Sequence, residues 1–185
     1  MNNKSSILLA LFTVLAITSL IFRAQGGKTA SKADKPALAE DSAPVQPTAS
    51  DLAPTARVEK SENDWKTLLT PAQFKIMRGS ATEKAGSSPL LSEHRRGVFH
   101  CAGCGAPLFA SDSKFESGTG WPSFTKPFVA GHIVIAEDSS FFMKREEVRC
   151  ARCGSHLGHV FDDGPPPTGQ RYCLNGATLT FESRP

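Results

Sequence analysis

Cysteine is the residue type in this chain with the widest chemistry, and the spacing of its five copies divides them into four and one. Cys101 and Cys104 in CAGC, and Cys150 and Cys153 in CARC, form two pairs with the same two-residue gap, each followed directly by glycine. Two short loops of this form can present four thiolates to one tetrahedral zinc ion, the glycine letting the backbone turn so that its amides face the sulfurs. The 45 residues between the pairs exceed the gap of a compact zinc finger, so the metal would clip together two separate hairpins. The same four residues also admit two disulfides in an oxidising compartment, or a redox CxxC, although no βαβ pattern surrounds either pair. A four-sulfur structural site is closed, which leaves its metal outside any reaction.

Cys173 in RYCLNGATLTF, residues 171–181, is the odd cysteine. In a secreted chain such a residue suggests an intermolecular bridge or a free reactive thiol, and in an intracellular one a nucleophile. A nucleophilic thiolate needs a proton donor nearby. SHLGHVF supplies His156 and His159, three apart, and either can donate a proton or orient a water near neutral pH, although the spacing also suits a structural or metal-binding pair. Residues two apart in a strand share a face, so Arg171, Cys173 and Asn175 are expected to line one surface, with Arg171 favouring the thiolate. Asn175 before Gly176 also fits a turn. On residue type alone Trp121 reads as a core ring, although the preceding Gly-Thr-Gly argues for a loop-borne, partly open one. Asp162 and Asp163 before Gly164 read as turn-formers, or as a carboxylate that sets the tautomer of His159. His94, His100 and His132 match no constellation.

These residues need a scaffold, and the pattern around them is mainly β. TPAQ at 70–73 has the form of a capping box with Pro71 at the first helical position, and Gly79 reads as the stop after FKIMR. Trp65, Leu68, Leu69, Phe74 and Met77 would give two short helices their apolar sides. Beyond Gly97, GVFHC, HIVIA, FFMKREEVRC, HLGHVF and RYCLNGATLTF are short, rich in β-branched and aromatic residues, and separated by Gly, Pro, Asp and Ser. Such strands joined by tight turns predict antiparallel sheets in a sandwich or partial barrel behind short N-terminal helices.

The first third of the chain differs in kind. Lys4 precedes ILLALFTVLAITSLIF, residues 7–22, an uncharged apolar run of 16 bounded by Arg23. As a helix it would span about 24 Å, slightly less than the ~30 Å hydrocarbon core, and Ser5, Ser6 and Ala24 can make up the difference. Residues 1–26 therefore read as an uncleaved membrane anchor or as a signal peptide cut near AQG at 24–26. Either places the rest extracytoplasmically, in the periplasm or cell envelope. Residues 27–57 are dominated by Ala, Pro, Ser, Thr and Lys, with no aromatic and almost no branched aliphatics, a composition that reads as a disordered linker. Residues 58–185 remain as one folded domain. Residues 1–57 hold 6 Lys+Arg against 4 Asp+Glu, so the domain holds 15 against 14, and no basic stripe points to nucleic acid.

Taken together, GTGWPSF at 118–124, CGSHLGHVFDDGP at 153–165 and RYCLNG at 171–176 resemble the B-type methionine sulfoxide reductases, which act on the R epimer of the sulfoxide. The resemblance runs from about Trp65 to Phe181 and includes both CxxC pairs, PLF at 107–109 and REEVRC at 145–150. It implies two antiparallel sheets with N-terminal helices, one structural zinc per chain on Cys101, Cys104, Cys150 and Cys153, and substrates that are oxidised proteins or peptides. By resemblance Cys173 attacks the sulfoxide sulfur while the oxygen is protonated and leaves as water, and a water adding to the cysteine sulfur then releases methionine and leaves a cysteine sulfenic acid. His156 and His159 then belong to the active site with His159 nearer the reacting oxygen. Trp121 packs against the sulfoxide methyl, and Asn175 helps hold the substrate.

Some positions depart from the family pattern. SATEKAGSS at 80–88 has Ala81 and Ala85 where the family often has a glycine and an aromatic, which implies a differently shaped loop above the pocket. Gly176 stands where many members have serine. Thr119 stands where many carry a resolving cysteine, and with four sulfurs committed to zinc the sulfenic acid must be reduced from outside, by a thioredoxin-like protein or a small thiol. The alternative is a membrane-tethered, zinc-bound binding module on the same fold, or more remotely a peroxide-sensing thiol. Against both stands the joint presence of Trp121, His156, His159, Cys173 and Asn175.

Overall fold

The structure, a computed structural model, describes residues 43–53, 56–139 and 144–185. Helix formation at its start rests on three capping boxes. Thr48 caps α1 (Ala49–Leu52), Ser61 caps α2 (Glu62–Leu68) and Thr70 caps α3 (Pro71–Gly79). In each, the cap hydroxyl accepts from the third helical amide while that residue's side chain accepts from the cap amide, satisfying donors that a helix start leaves open. Only TPAQ is predicted from the sequence; the other two boxes use Asp51 and Asp64 in place of the usual Glu or Gln. Gly79 does not stop α3: it stays helical, and Ser80 takes the left-handed conformation at φ 51°. Trp65, Leu69 and Met77 are buried as expected, whereas Leu68 points outward at 53% exposure.

The remaining elements are β1 (Gly97–Cys101), β2 (Pro107–Ala110), β3 (Lys114–Phe115), β4 (Ser123–Phe124), β5 (Ile133–Asp138), β6 (Arg145–Cys150), β7 (His156–Phe161), β8 (Arg171–Leu174) and β9 (Leu179–Ser183). They make a three-stranded sheet in the order β2-β1-β9 and a six-stranded sheet in the order β3-β4-β8-β7-β6-β5, with every pairing antiparallel. Aromatic side chains from the two sheets meet between them. Phe99 and Phe109 of the small sheet approach Phe124 of the large one at centroid distances of 5.0 and 4.7 Å, and Phe109 approaches Tyr172 at 5.6 Å. Edge-to-face and offset rings of this kind fix orientation beyond what area burial alone provides.

Two expectations are corrected. RYCLNGATLTF is not one strand: β8 ends at Leu174, a 3₁₀ turn covers Gly176–Thr178, and β9 continues in the other sheet. β8 ends before Asn175, whose backbone amide still donates to the Leu157 carbonyl of β7 at 2.9 Å, so Asn175 borders the same pocket as Cys173 from the turn. The linker expected through residue 57 gives way earlier, because residues 43–53 form a strap on the domain. Val45 is buried beside Val98 and Ala110, its amide donates to the Asp112 carboxylate, and Arg96 donates to the carbonyls of Ala43 and Pro44. One branched aliphatic suffices there because polar groups of the domain engage the strap's backbone. The apolar run at 7–22 and the boundary at 26 lie outside the described residues, among which no helix is long and apolar enough to cross a membrane.

Asp51 closes the strap with a bidentate pair to Arg184 at 2.6 and 2.8 Å. This hydrogen bonding holds the Asp51 carboxyl well below the usual carboxylate range against the opposing effect of burial. Asp51→Asn should therefore lower unfolding free energy by about 1.5–3 kcal/mol, the scale of hydrogen bonds to charged groups. A depressed carboxyl stabilises the fold fully above the unfolded value of ~3.9 and loses that contribution only as pH falls through the folded one. Denaturant titrations should accordingly show a constant difference between the two proteins from pH 7 to pH 5; a difference that changes inside that window would assign the effect to another group.

Candidate functional site

Cys173 lies at the centre of the six-stranded sheet, where register sets its neighbours. It faces His159 of β7 on one side and Ser123 of β4 on the other. Directly opposed residues of antiparallel strands project from the same face about 4.5–5.5 Å apart, so the thiol and the imidazole meet without help from any loop. β7 and β8 approach closely here: a Cβ at Gly158 would fall 2.1 Å from the Cys173 carbonyl oxygen, so only glycine fits. Cys173, His159, Phe161, Trp121, Asn175 and Thr82 border a pocket of about 220 Å³. Trp121 reaches it from the loop before β4, where Gly120 turns at φ 90°. Thr119 stands at the mouth, its Oγ1 3.8 Å from the Cys173 sulfur.

Each wall of the pocket is held from behind. Asp138 of β5 accepts from His159 Nε2 at 2.9 Å and from the Arg145 guanidinium at 2.7 Å. The carboxylate on His159 is thus Asp138 and neither Asp162 nor Asp163. Glu83 ties three parts together: its carboxylate accepts from the amides of Gly176 and Ala177 at 2.6 and 2.9 Å, its carbonyl accepts from Trp121 Nε1 at 3.2 Å, and its amide donates to Asn175 Oδ1 at 2.9 Å. Asn175 also donates from Nδ2 to the Leu157 carbonyl at 3.1 Å. Its amide group is therefore engaged with backbone, and the residue shapes the pocket more than it offers polar groups to it. Ala85 packs under Gly120, which is how the 80–88 loop meets the tryptophan loop.

His156 and Arg171 stand elsewhere than expected. His156 is buried with its Nδ1 2.6 Å from Glu147, behind His159 at a ring separation of 5.4 Å, and does not border the pocket. Burial lowers its pKa despite the opposing pull of Glu147, so the ring is neutral near pH 7. Arg171 donates through Nε and Nη2 to Asp163 at 2.8 and 2.9 Å and covers the Phe161 ring at 4.4 Å, committed beside the pocket rather than lining it. The hydrogen bond to Asp163, and secondarily the charge of Cys173, raise its pKa. Sequence reasoning missed Glu83 and Asp138. The Thr-Glu pair at 82–83 was a signal for the first; nothing local distinguishes Asp138, which reaches His159 through the pairing of β5, β6 and β7.

The other four cysteines come together as the spacing predicts. Cys101 ends β1, Cys150 ends β6, and the glycine after each pair, Gly105 and Gly154, turns at φ 73° and 68°. All four sulfurs lie within 4.8 Å of one another, with Cys101 to Cys153 at 3.7 Å and Cys104 to Cys150 at 3.5 Å, and all four are free of disulfides. Tetrahedral sulfurs about 2.3 Å from a metal stand ~3.8 Å apart, so the donor set fits one ion. The contacts with Cys104, Cys150 and Cys153 hold the Cys101 thiol far above its ordinary range, the effect that sulfurs packed this closely have on one another's ionisation. Register places this cluster away from the pocket. Cys173, His159 and Glu147 lie in line across three strands, and Cys150 is three residues further along β6, about 10 Å, and two strand spacings of about 4.8 Å from β8. A metal held by four sulfurs there would be structural, and those sulfurs are out of reach of Cys173.

With this geometry in place, comparison with known proteins is informative. The SelR domain family matches residues 69–183, more than half of the chain. A protein of Methanosarcina mazei named peptide methionine sulfoxide reductase MsrB is 55% identical over 125 residues, which cover 68% of this chain and 89% of that one. Proteins of the same name from Leptospira interrogans and Agrobacterium fabrum are 52% and 49% identical, over 68% of this chain and 95% and 93% of theirs.

Because metal binding free energy is folding free energy, Cys101→Ser should lose both the bound ion and a cooperative unfolding transition. Elemental analysis of the purified chain should find about one metal ion per chain, as tetrahedral coordination by four sulfurs requires. Retention of that stoichiometry and of cooperative unfolding in the variant would remove Cys101 from the ligand set.

Proposed function

We infer the activity from membership: the chain belongs to the SelR-domain family of peptide methionine sulfoxide reductases B, and it reduces the R epimer of methionine sulfoxide in proteins back to methionine. The observation that carries the assignment of roles is the opposition of Cys173 and His159 on neighbouring strands, in a pocket walled by Trp121. The sulfoxide methyl packs on the Trp121 ring, which Glu83 orients through Nε1. The Cys173 thiolate attacks the sulfoxide sulfur, and His159, held by Asp138, gives the oxygen a proton. One sulfoxide, one thiolate and one proton thus become methionine and a sulfenic acid on Cys173. Neutral, buried His156 supports His159 from behind and is not the proton donor. A binding module on the same fold has no use for a half-buried thiol opposed to a histidine at the bottom of such a pocket.

The reductant comes from outside the chain. Thr119 occupies the position from which a second thiol would reach Cys173, and it offers a hydroxyl at 3.8 Å. A thioredoxin-like protein or a small thiol therefore attacks the sulfenic acid, forming a mixed disulfide and water, and a second thiol releases Cys173. Zinc is the ion for the four-cysteine site, since an all-thiolate set of this size suits it and supplies a structural clip without redox chemistry. Residues 7–22 place the domain extracytoplasmically, as an anchor or a cleaved signal, the support being an uncharged apolar run of 16 between Lys4 and Arg23.

Two measurements test this reading. Cys173→Ser should abolish reduction of R sulfoxide, a fall of at least roughly 10³-fold, with metal content and thermal unfolding unchanged, and the wild-type chain should leave the S epimer untouched. In a single turnover without reductant, dimedone should label Cys173 and the peptide map should hold no intramolecular disulfide. A disulfide from Cys173 to a cluster cysteine, formed as fast as methionine appears, would make a metal thiolate the resolving group instead.

A further inference from the structure

The pocket over Cys173 holds about 220 Å³, below the ~300–1,000 Å³ of sites that enclose a whole small ligand, so it accommodates one side chain and little else. Beside it lies a second, larger hollow of about 640 Å³. Ile76 of α3, Leu90, Ala177 and Leu179 line it, together with Lys75 and Lys84. Thr82 borders both spaces. The turn that contributes Asn175 to the reaction pocket contributes Gly176 to the hollow, so the two lie side by side across one short stretch of backbone.

The lining of the hollow carries two ammonium groups against one carboxylate, a net positive charge. The carboxylate is that of Glu83, whose oxygens accept from the amides of Gly176 and Ala177. Lys75 and Lys84 are exposed, and among the described residues neither has a carboxylate within ion-pair distance. The space therefore presents an apolar lining with two ammonium groups that pair with no carboxylate, next to a pocket that takes only a side chain.

We propose that this hollow is the subsite for the polypeptide flanking the oxidised methionine, and that Lys75 and Lys84 favour an acidic side chain next to the sulfoxide. The inference rests on the reductase reading of the reaction pocket and narrows its substrate to protein segments of a particular charge. A chain whose sulfoxide enters over Cys173 must continue past Thr82 or turn out to solvent, and the hollow is where apolar carbons and a carboxylate find complementary surface. The rigid clasp of Glu83 on Gly176 and Ala177 keeps that surface formed in the absence of substrate. Because both cations are exposed, their effect is modest and weakens with salt.

The test uses the full chain, N-acetylmethionine R-sulfoxide amide, and matched peptides with R sulfoxide flanked on either side by Asp or by Lys. At low ionic strength kcat/KM should be about 3- to 10-fold higher for the Asp peptide on at least one side, mainly through KM, and the gap should shrink in about 0.5 M salt, as roughly one or two exposed ion pairs require. The double variant Lys75→Glu, Lys84→Glu should lose or reverse the preference while reducing the small amide at the wild-type rate, which also reports that it folds. Equal kcat/KM for Asp and Lys peptides, or a preference that survives the double variant, overturns the subsite. Failure of the wild-type chain to reduce the small amide and every peptide overturns the reductase reading itself.

Discussion

The fold is a pair of sheets that the four-sulfur cluster joins. Cys101 belongs to the three-stranded sheet and Cys150 to the six-stranded one, so a single ion bound by both CxxC loops would fix the relation of the sheets at one end. The aromatic layer of Phe99, Phe109, Phe124 and Tyr172 fixes it in the middle. β6 runs into the cluster at Cys150, β7 leaves it just beyond Cys153, and β8 takes its register from β7. The reaction pocket lies about 10 Å away along the strands, so a metal there would brace its geometry without touching the chemistry.

On that frame the pocket is made by register first and by loops second. Cys173 and His159 are opposed because their strands pair; Trp121 and Asn175 come from turns and need Glu83 to hold them. Two histidines flank the sheet face, each backed by a carboxylate that an arginine in turn holds: Asp138 and Arg145 behind His159, Glu147 and Arg149 behind His156. Burial separates their roles. It depresses the basicity of His156, whereas His159 is the ring that borders the pocket.

Much of this was legible from local pattern, and what was not has a common physical cause. GVFHC and HLGHVF coincide with β1 and β7 because a strand's period and its bounding turns are local properties. The doubled CxxC specified a metal cage because ligand type and spacing are enough to form one. Glu83, Asp138 and the strap act through contacts between residues 92, 21 and 133 positions apart, which no local period encodes. The break at Asn175 was hidden for the converse reason: RYCL and LTF both read as strand, and only the change of sheet separates them. Arg171 was assigned to the pocket by strand alternation alone, but Asp163 is exposed, close and oppositely charged, and it captures the guanidinium.

The group beside Cys173 at Thr119 is a hydroxyl and not a thiol, and this sets the demands on the pocket. A second cysteine there would condense with the sulfenic acid internally and let the reductant act at a site remote from substrate. With Thr119 in place, the oxidised sulfur must remain reachable, so substrate and reductant have to use the same opening in turn. The small volume over Cys173 suits that alternation, since it binds one side chain and releases it once the sulfoxide, the part that the thiolate and His159 engage, has become a thioether. Affinity for the substrate protein then has to come from outside the pocket, where it does not obstruct the approach of a second thiol, and the adjacent hollow beside Thr82 lies on such ground.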